Sequence, residues 1–179
     1  MQQKLQSIKQ KQAWAVILLM LVSFLQLRAG DSITVYVFLS ETCPICQSQT
    51  LALRQLYDEY AGKGITFQGM FPNTELSTDE SIRKFGRKYK LDFSLKRDDQ
   101  QQLTNKLQAT ITPQVFVLNN RTQQVLYRGK VDNSYEGIGK RRQVITEHYL
   151  KNALQATLEN KEPPVKETAP VGCFIIKPD

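Results

Sequence analysis

Two cysteines three positions apart, Cys43 and Cys46 in the stretch FLSETCPICQS (38–48), carry the most reactive chemistry in this 179-residue chain. Such a pair can bind a metal, anchor a haem, form an inert bridge, or shuttle electrons as a dithiol and disulfide. Covalent haem needs a His directly after the second cysteine, and residue 47 is Gln. Zinc needs four ligands, and beyond the first 30 residues the thiols and imidazoles are Cys43, Cys46, Cys173 and His148 alone. A Cys₃His site would therefore require the tail and the last helix to converge on the pair. Copper delivery calls for a nearby His or Met, and His148 and Met70 are the candidates. A bridge closing so small a loop constrains the unfolded chain little, which weakens a purely structural role.

The flanking segments say how the pair is held. ITVYVFL (33–39) is β-branched and aromatic, the pattern of a buried strand. Behind the pair, Leu53, Leu56, Tyr57 and Tyr60 recur at helical spacing, and Gly62 and Gly64 end the run. Pro44 suits the first helical turn, where its missing N–H costs nothing. Cysteines at i and i+3 of one turn approach closely enough for a disulfide. Free N–H groups and the dipole at a helix start favour a thiolate on Cys43, leaving Cys46 as the thiol that resolves a mixed disulfide. The dipole supplies at most roughly 2 kcal/mol, and one pKa unit is worth about 1.36 kcal/mol. Lowering a thiol of about 8.5 on that basis predicts a Cys43 pKa of around 7, not the roughly 3.5 of a strong oxidant.

A second signal lies seventy residues on, in ATITPQVFVL (109–118). Pro113 opens a strand. It is either an ordinary strand-starting proline or a cis-proline turn beside the pair. In the second case the backbone of Thr112 is free to hydrogen-bond an extended substrate peptide.

The rest of the chain reads as follows. GITFQGMF (64–71) is a second strand and Ser77 to Lys90 a helix with Ile82, Phe85 and Tyr89 inward. The charges Arg83, Lys84, Arg87 and Lys88 form a solvated face. DFSLK (92–96) is a short extended piece before helical turns around residues 100–109, and TPQVFVL (112–118) turns through NNRT (119–122) into QQVLYRGKV (123–131) as a hairpin. The loop KVDNSYEGIGKRR (130–142) reads as a solvated hairpin exit or a partner-docking loop, and a last helix is expected from about Lys140 to Glu159. His148 on it reads as a surface or boundary residue. This order predicts an α/β fold: a mixed central sheet with helices on both faces.

Net charge excludes one function class. The formal +7 looks like a nucleic-acid signal, but residues 31–179 hold 20 Lys/Arg against 17 Asp/Glu, so the domain carries only +3. The basicity belongs to residues 1–30, a basic start followed by the apolar run Ala13 to Leu25. That segment reads as a signal peptide, or as a membrane anchor through residues 13–27. Either delivers a domain of residues 31–159 outside the cytoplasm, where disulfide chemistry is permitted. Residues 160–179 are then a Pro-rich linker and a small apolar tail carrying Cys173. That cysteine reads as an apolar residue docked on the domain edge, as an additional redox thiol, or as an intermolecular bridge.

The strand–Cys-x-x-Cys–helix unit, the segment ATITPQVFVL and the later strand VLYRGKVD together resemble the thioredoxin superfamily, in particular the exported TlpA/ResA-type redoxins. The resemblance covers roughly residues 33–158. It implies a thioredoxin-like fold whose extra helix–strand insert, Asn73 to Arg97, precedes the cis-Pro segment. It also implies Cys43 as attacking thiolate, Cys46 as resolving thiol and Pro113 as cis-proline, with Thr112, Pro113 and Pro44 facing the substrate. Two departures stand out. Thr42 replaces the Trp before the first Cys, and Val37 replaces the buried acid on the preceding strand, which leaves Glu41 as the nearby carboxylate. The peroxiredoxin pattern, with Thr three residues before its Cys, is absent. The expectation is an extracytoplasmic thiol–disulfide oxidoreductase acting on protein thiols and disulfides, fed by a membrane-bound electron donor and needing no cofactor. A copper- or zinc-binding scaffold is the alternative.

Overall fold

The computed structural model describes residues 33–177. The leader, with its signal-peptide or anchor reading, lies outside the described residues, and among the described residues no helix is long and apolar enough to cross a membrane.

The apolar run after the leader forms β1 (Ile33–Phe38), and Pro44 at the first helical position starts α1 (Pro44–Tyr60). Leu53, Leu56 and Tyr60 of the expected stripe are buried, and Tyr57 packs beside them. The helix stops through a short 3-10 turn, Ala61–Lys63, because Gly64 takes a left-handed φ of 83°. β2 (Ile65–Phe71) follows. The insert is a helix, α2 (Asp79–Tyr89), and a strand, β3 (Ser94–Arg97). Thr78 and Ser81 cap α2 reciprocally, each side chain accepting from the other's backbone N–H. After a 3-10 turn at Asp99–Gln101 comes the short α3 (Gln102–Leu107), and then β4 (Ile111–Thr112) and β5 (Gln114–Asn119), interrupted by Pro113. β6 (Gln124–Gly129) closes the expected hairpin with β5.

The main sheet has the order β3-β2-β1-β5-β6, with β1, β2 and β3 parallel and β5 antiparallel to both neighbours. This is the mixed sheet of a thioredoxin-like fold. Alternation along β1 divides the core in two. Ile33, Val35 and Val37 face the larger cluster with Leu53, Phe85 and Leu150, whereas Phe38 faces the other side with Met70, Leu107 and Phe116.

The last helix is shorter than its sequence predicts. The expected span began at about Lys140; α4 covers only Tyr149–Leu158. Residues 140–148 are instead a short hairpin strand and an extended arm: β7 (Tyr135–Gly137) pairs with β8 (Lys140–Arg141) across Gly139, whose φ is 74°. Asn133 then holds the arm away from helix. Its side-chain oxygen accepts from the N–H groups of Thr146 and Glu147 at 3.1 and 3.2 Å. The β-branched run Val144-Ile145-Thr146 weakens helix further. The loop feeding this hairpin is not solvated either: Asp132, Asn133 and Ser134 are buried.

The C-terminal segment is laid along the domain. Thr168 and Lys166 hydrogen-bond the backbone of Arg128 on β6, both at 3.0 Å. Gly129 makes this approach possible: at its φ of 138° an added Cβ would stand 2.1 Å from the Thr168 hydroxyl. The chain then runs to β9 (Cys173–Phe174), which pairs antiparallel with β4.

Candidate active site

Cys43 is the last residue before α1, in extended conformation, and both sulfurs of the pair are buried, Cys43 1% exposed and Cys46 0%. The loop between β1 and α1 is tied by Cys43 N–H to the Ser40 carbonyl at 3.2 Å. The Ser40 N–H in turn points at the Cys46 sulfur at 3.4 Å. Opposite lies the Thr112–Pro113 bond, which is cis. The Cys43 sulfur lies 3.3 Å from the Thr112 carbonyl oxygen, so the two segments singled out in the sequence meet here. Pro44 is exposed at the helix start, while Thr112 is fully buried.

The two thiols are driven apart in acidity. The Cys46 thiol, donating to the Cys43 sulfur, lowers Cys43 most; burial opposes this, and the Cys173 thiol and the N–H groups of Cys46 and Ile45 add to the lowering. The result is a Cys43 pKa of about 5. Cys46 moves the other way, well above an ordinary thiol, because it is desolvated and sits against the charge of Cys43. The expected value of around 7 was too high because it counted only the helix terminus. Sulfur-to-sulfur hydrogen bonds are invisible until the side chains are placed. The arrangement favours the charged form of Cys43 and the protonated form of Cys46.

The other sequence candidates fall in unequal places. Cys173 is brought to the pair, its thiol against Cys43, and is itself pushed up to about 12 by burial and by that neighbour. His148 starts α4 and is exposed. Among the described residues no group of three or more His, Cys, Asp and Glu is arranged to hold a metal ion. Glu41, the nearby carboxylate, is turned away from the sulfurs. It accepts from Ser77 Oγ at 2.6 Å and Ser81 Oγ at 2.5 Å, pinning the active-site loop to the start of α2.

Three residues escaped sequence reasoning. Gln49, one turn beyond Cys46, is buried and donates to Asp132 Oδ1 at 3.0 Å and to the Ser134 hydroxyl. Asp132 also accepts from the Ser134 N–H at 2.9 Å, so this carboxylate sits inside the domain on the α1 side of the pair. Ser40 places a hydroxyl residue three positions before Cys43, but that hydroxyl pairs with Thr42 at 3.1 Å. A polar residue on the apolar stripe, Gln49, was the signal available for the first of these.

Comparison with known proteins places this arrangement. A family model described as "AhpC/TSA family" matches residues 20–128. An uncharacterized conserved protein from Geobacillus kaustophilus superposes with a TM-score of 0.74 at 26% identity, covering 83% of this chain and 79% of that one. A hypothetical protein from Sinorhizobium meliloti 1021 does so with a TM-score of 0.71 at 24% identity, covering 82% and 80%. A secreted Mycobacterium tuberculosis disulfide oxidoreductase shares the fold with a TM-score of 0.50 at 15% identity, covering 73% and 82%. No curated protein matches the chain.

Proposed function

The chain belongs to the AhpC/TSA family and is a redoxin of the thioredoxin superfamily, and from that premise we propose that it is an extracytoplasmic thiol–disulfide oxidoreductase working through Cys43 and Cys46. The observation that carries this reading is geometric: Cys43 and Cys46 stand at the start of α1 against the cis Thr112–Pro113 bond, with Cys43 Sγ 3.3 Å from the Thr112 carbonyl oxygen, and the acidities of the two thiols are pushed in opposite directions. The Cys43 thiolate attacks a substrate disulfide; its S–S bond breaks and one substrate sulfur leaves as thiolate. Burial is the main cause that keeps Cys46 protonated, and the hydrogen bond to Cys43 and repulsion from its charge add to it; in the mixed disulfide Cys43 no longer carries charge, so the part due to Cys43 falls away. Cys46 loses its proton and attacks Cys43, the Cys43–Cys46 bond closes, and the second substrate sulfur departs. The substrate gains two electrons and the enzyme loses them.

Thr112 and Pro113 stand where they would hold the peptide around the attacked sulfur, with Pro44 at the rim. Export is supported by the basic and apolar leader. A reducing role there would draw electrons from a membrane-bound donor, and anchoring would run through residues 13–27. Reduction of insulin disulfides by the purified protein tests the reading: activity is expected in the wild type and absent in Cys43→Ala. Turnover that survives in Cys43→Ala ends it.

A further inference from the structure

The edge of β4 is the natural place for an extended peptide to add as a strand beside Cys43, since its backbone groups need partners. In this protein that edge is already taken by the chain's own tail. Thr112 pairs with Cys173 and Ile111 with Phe174, and the Ile175 N–H continues the ladder to the Thr110 carbonyl at 3.0 Å. Strand alternation sends the Cys173 side chain toward the pair and leaves Phe174 75% exposed. Beyond the ladder, the Ile176 N–H donates to Asn73 Oδ1 at 2.9 Å, and Gln101 donates to the Ile176 carbonyl. Gly172 is what lets the strand lie so close: a Cβ there would stand 2.0 Å from the Thr112 oxygen and 3.0 Å from Pro113 Cδ. The register thus delivers one thiol, on one residue, to the sulfur that does the chemistry.

We propose that Cys173 is a third redox-active residue, an internal substrate that exchanges with the Cys43–Cys46 disulfide while its strand fills the substrate groove. The proposal rests on the oxidoreductase reading of Cys43. With the pair oxidised, the Cys173 thiolate attacks Cys43 Sγ. The Cys43–Cys173 bond forms, the Cys43–Cys46 bond breaks, and Cys46 leaves as a thiolate that takes up the proton Cys173 gave away. No electrons enter or leave the chain, so no further reagent is needed. Two of the three causes that hold the Cys173 thiol protonated, the hydrogen bond and the charge of Cys43, are absent once Cys43 is in a disulfide. The exchange moves the reactive disulfide from a buried pair to the tail, and an external peptide reaches Thr112 only when the tail strand leaves.

The test uses full-length Cys46→Ser protein and glutathione disulfide, read by intact mass and disulfide mapping. Cys43 first takes up glutathione. The docked strand presents Cys173 at an effective concentration above the millimolar level of a short flexible tether, so glutathione is then expelled and a Cys43–Cys173 bridge appears. Cys46→Ser with Cys173→Ser keeps glutathione on Cys43. Cys46→Ser with Gly172→Ala closes the bridge at least tenfold more slowly, because the strand no longer seats. Glutathione that stays on Cys43 while Cys173 titrates as a free thiol overturns the proposal and leaves the oxidoreductase reading intact. Closure at an unchanged rate in the Gly172→Ala protein overturns the docked-strand route. A Cys43 that takes up no glutathione in any variant overturns both readings.

Discussion

Replacing Cys46 by Ala removes the group that lowers the Cys43 pKa most. What is left to favour the thiolate is the Cys173 thiol and then the N–H groups at the start of α1, and a helix start supplies at most roughly 2 kcal/mol, about one and a half units of pKa. The midpoint should therefore climb from about 5 to about 7 or above. Cys46→Ser retains a hydroxyl donor and should keep the midpoint low, which separates loss of the hydrogen bond from general disturbance. The measurement is a pH titration of thiolate absorbance, with alkylation rates of Cys43 as a second readout, in Cys173→Ser backgrounds so that one thiol is followed. A midpoint still near 5 in Cys46→Ala would refute the assignment to the sulfur pair. The shift matters less for attack than it first suggests. At pH 7 a pKa of about 5 in place of about 8.5 raises the thiolate fraction roughly 30-fold, while a Brønsted slope of about 0.4–0.5 lowers its nucleophilicity by roughly 25- to 55-fold. The two nearly cancel. The gain lies in Cys43 as a leaving group, and hence in a more oxidising pair.

That reasoning fixes a potential. Pairs whose nucleophile titrates at about 7 and about 3.5 have potentials near −270 and −120 mV, so interpolation to about 5 places this pair at about −185 mV, to be checked by glutathione equilibration. Stability should follow pH in a signed way. The depressed Cys43 contributes stability that is full above the ordinary thiol pKa and is lost as pH falls toward about 5, whereas the raised Cys46 and Cys173 remove stability as pH rises above about 9. The thiol-linked part of stability should therefore rise from about pH 5 to a maximum near pH 9 in thermal melts of reduced protein, and Cys43→Ser should flatten the acidic side. Glu41→Ala deletes the acceptor of two serine hydroxyls and should cost about 1–3 kcal/mol in urea unfolding while moving the Cys43 midpoint by less than about half a unit. Asp132→Ala leaves the buried Gln49 short of an acceptor and should cost about 1–3 kcal/mol by the same assay.

The parts of the molecule that sequence made legible are those where one local rule decides. β1 and the stripe of α1 follow from periodicity, and Pro44 at the helix start follows from its ring. What stayed hidden depends on partners far along the chain. Residues 140–148 carry no local signal for an arm beyond the β-branched run 144–146, and Asn133, through its side chain and its backbone N–H, holds Thr146 and Glu147 extended. Asp132 sits in a polar run that reads as solvated loop, and its burial comes from Gln49, which lies 83 residues away in sequence. Segment 160–170 reads as a linker because it is polar and rich in proline, yet its backbone is bound to Arg128 through hydrogen bonds that no composition reveals. The same limit explains the pKa of Cys43: the helix terminus is readable from spacing, but the orientation of neighbouring thiols is not.

The glycine at position 172 reaches beyond the tail that contains it. Because an added Cβ there would lie 2.0 Å from the Thr112 oxygen, the groove has no room for a side chain immediately before the cysteine it presents to Cys43. A foreign peptide seated in the same frame meets the same wall. On the proposed function, a peptide seated in the tail's alignment would need a glycine immediately before its cysteine. The backbone of the cis-proline segment thus sets the shape of any strand that lies beside β4 in that alignment.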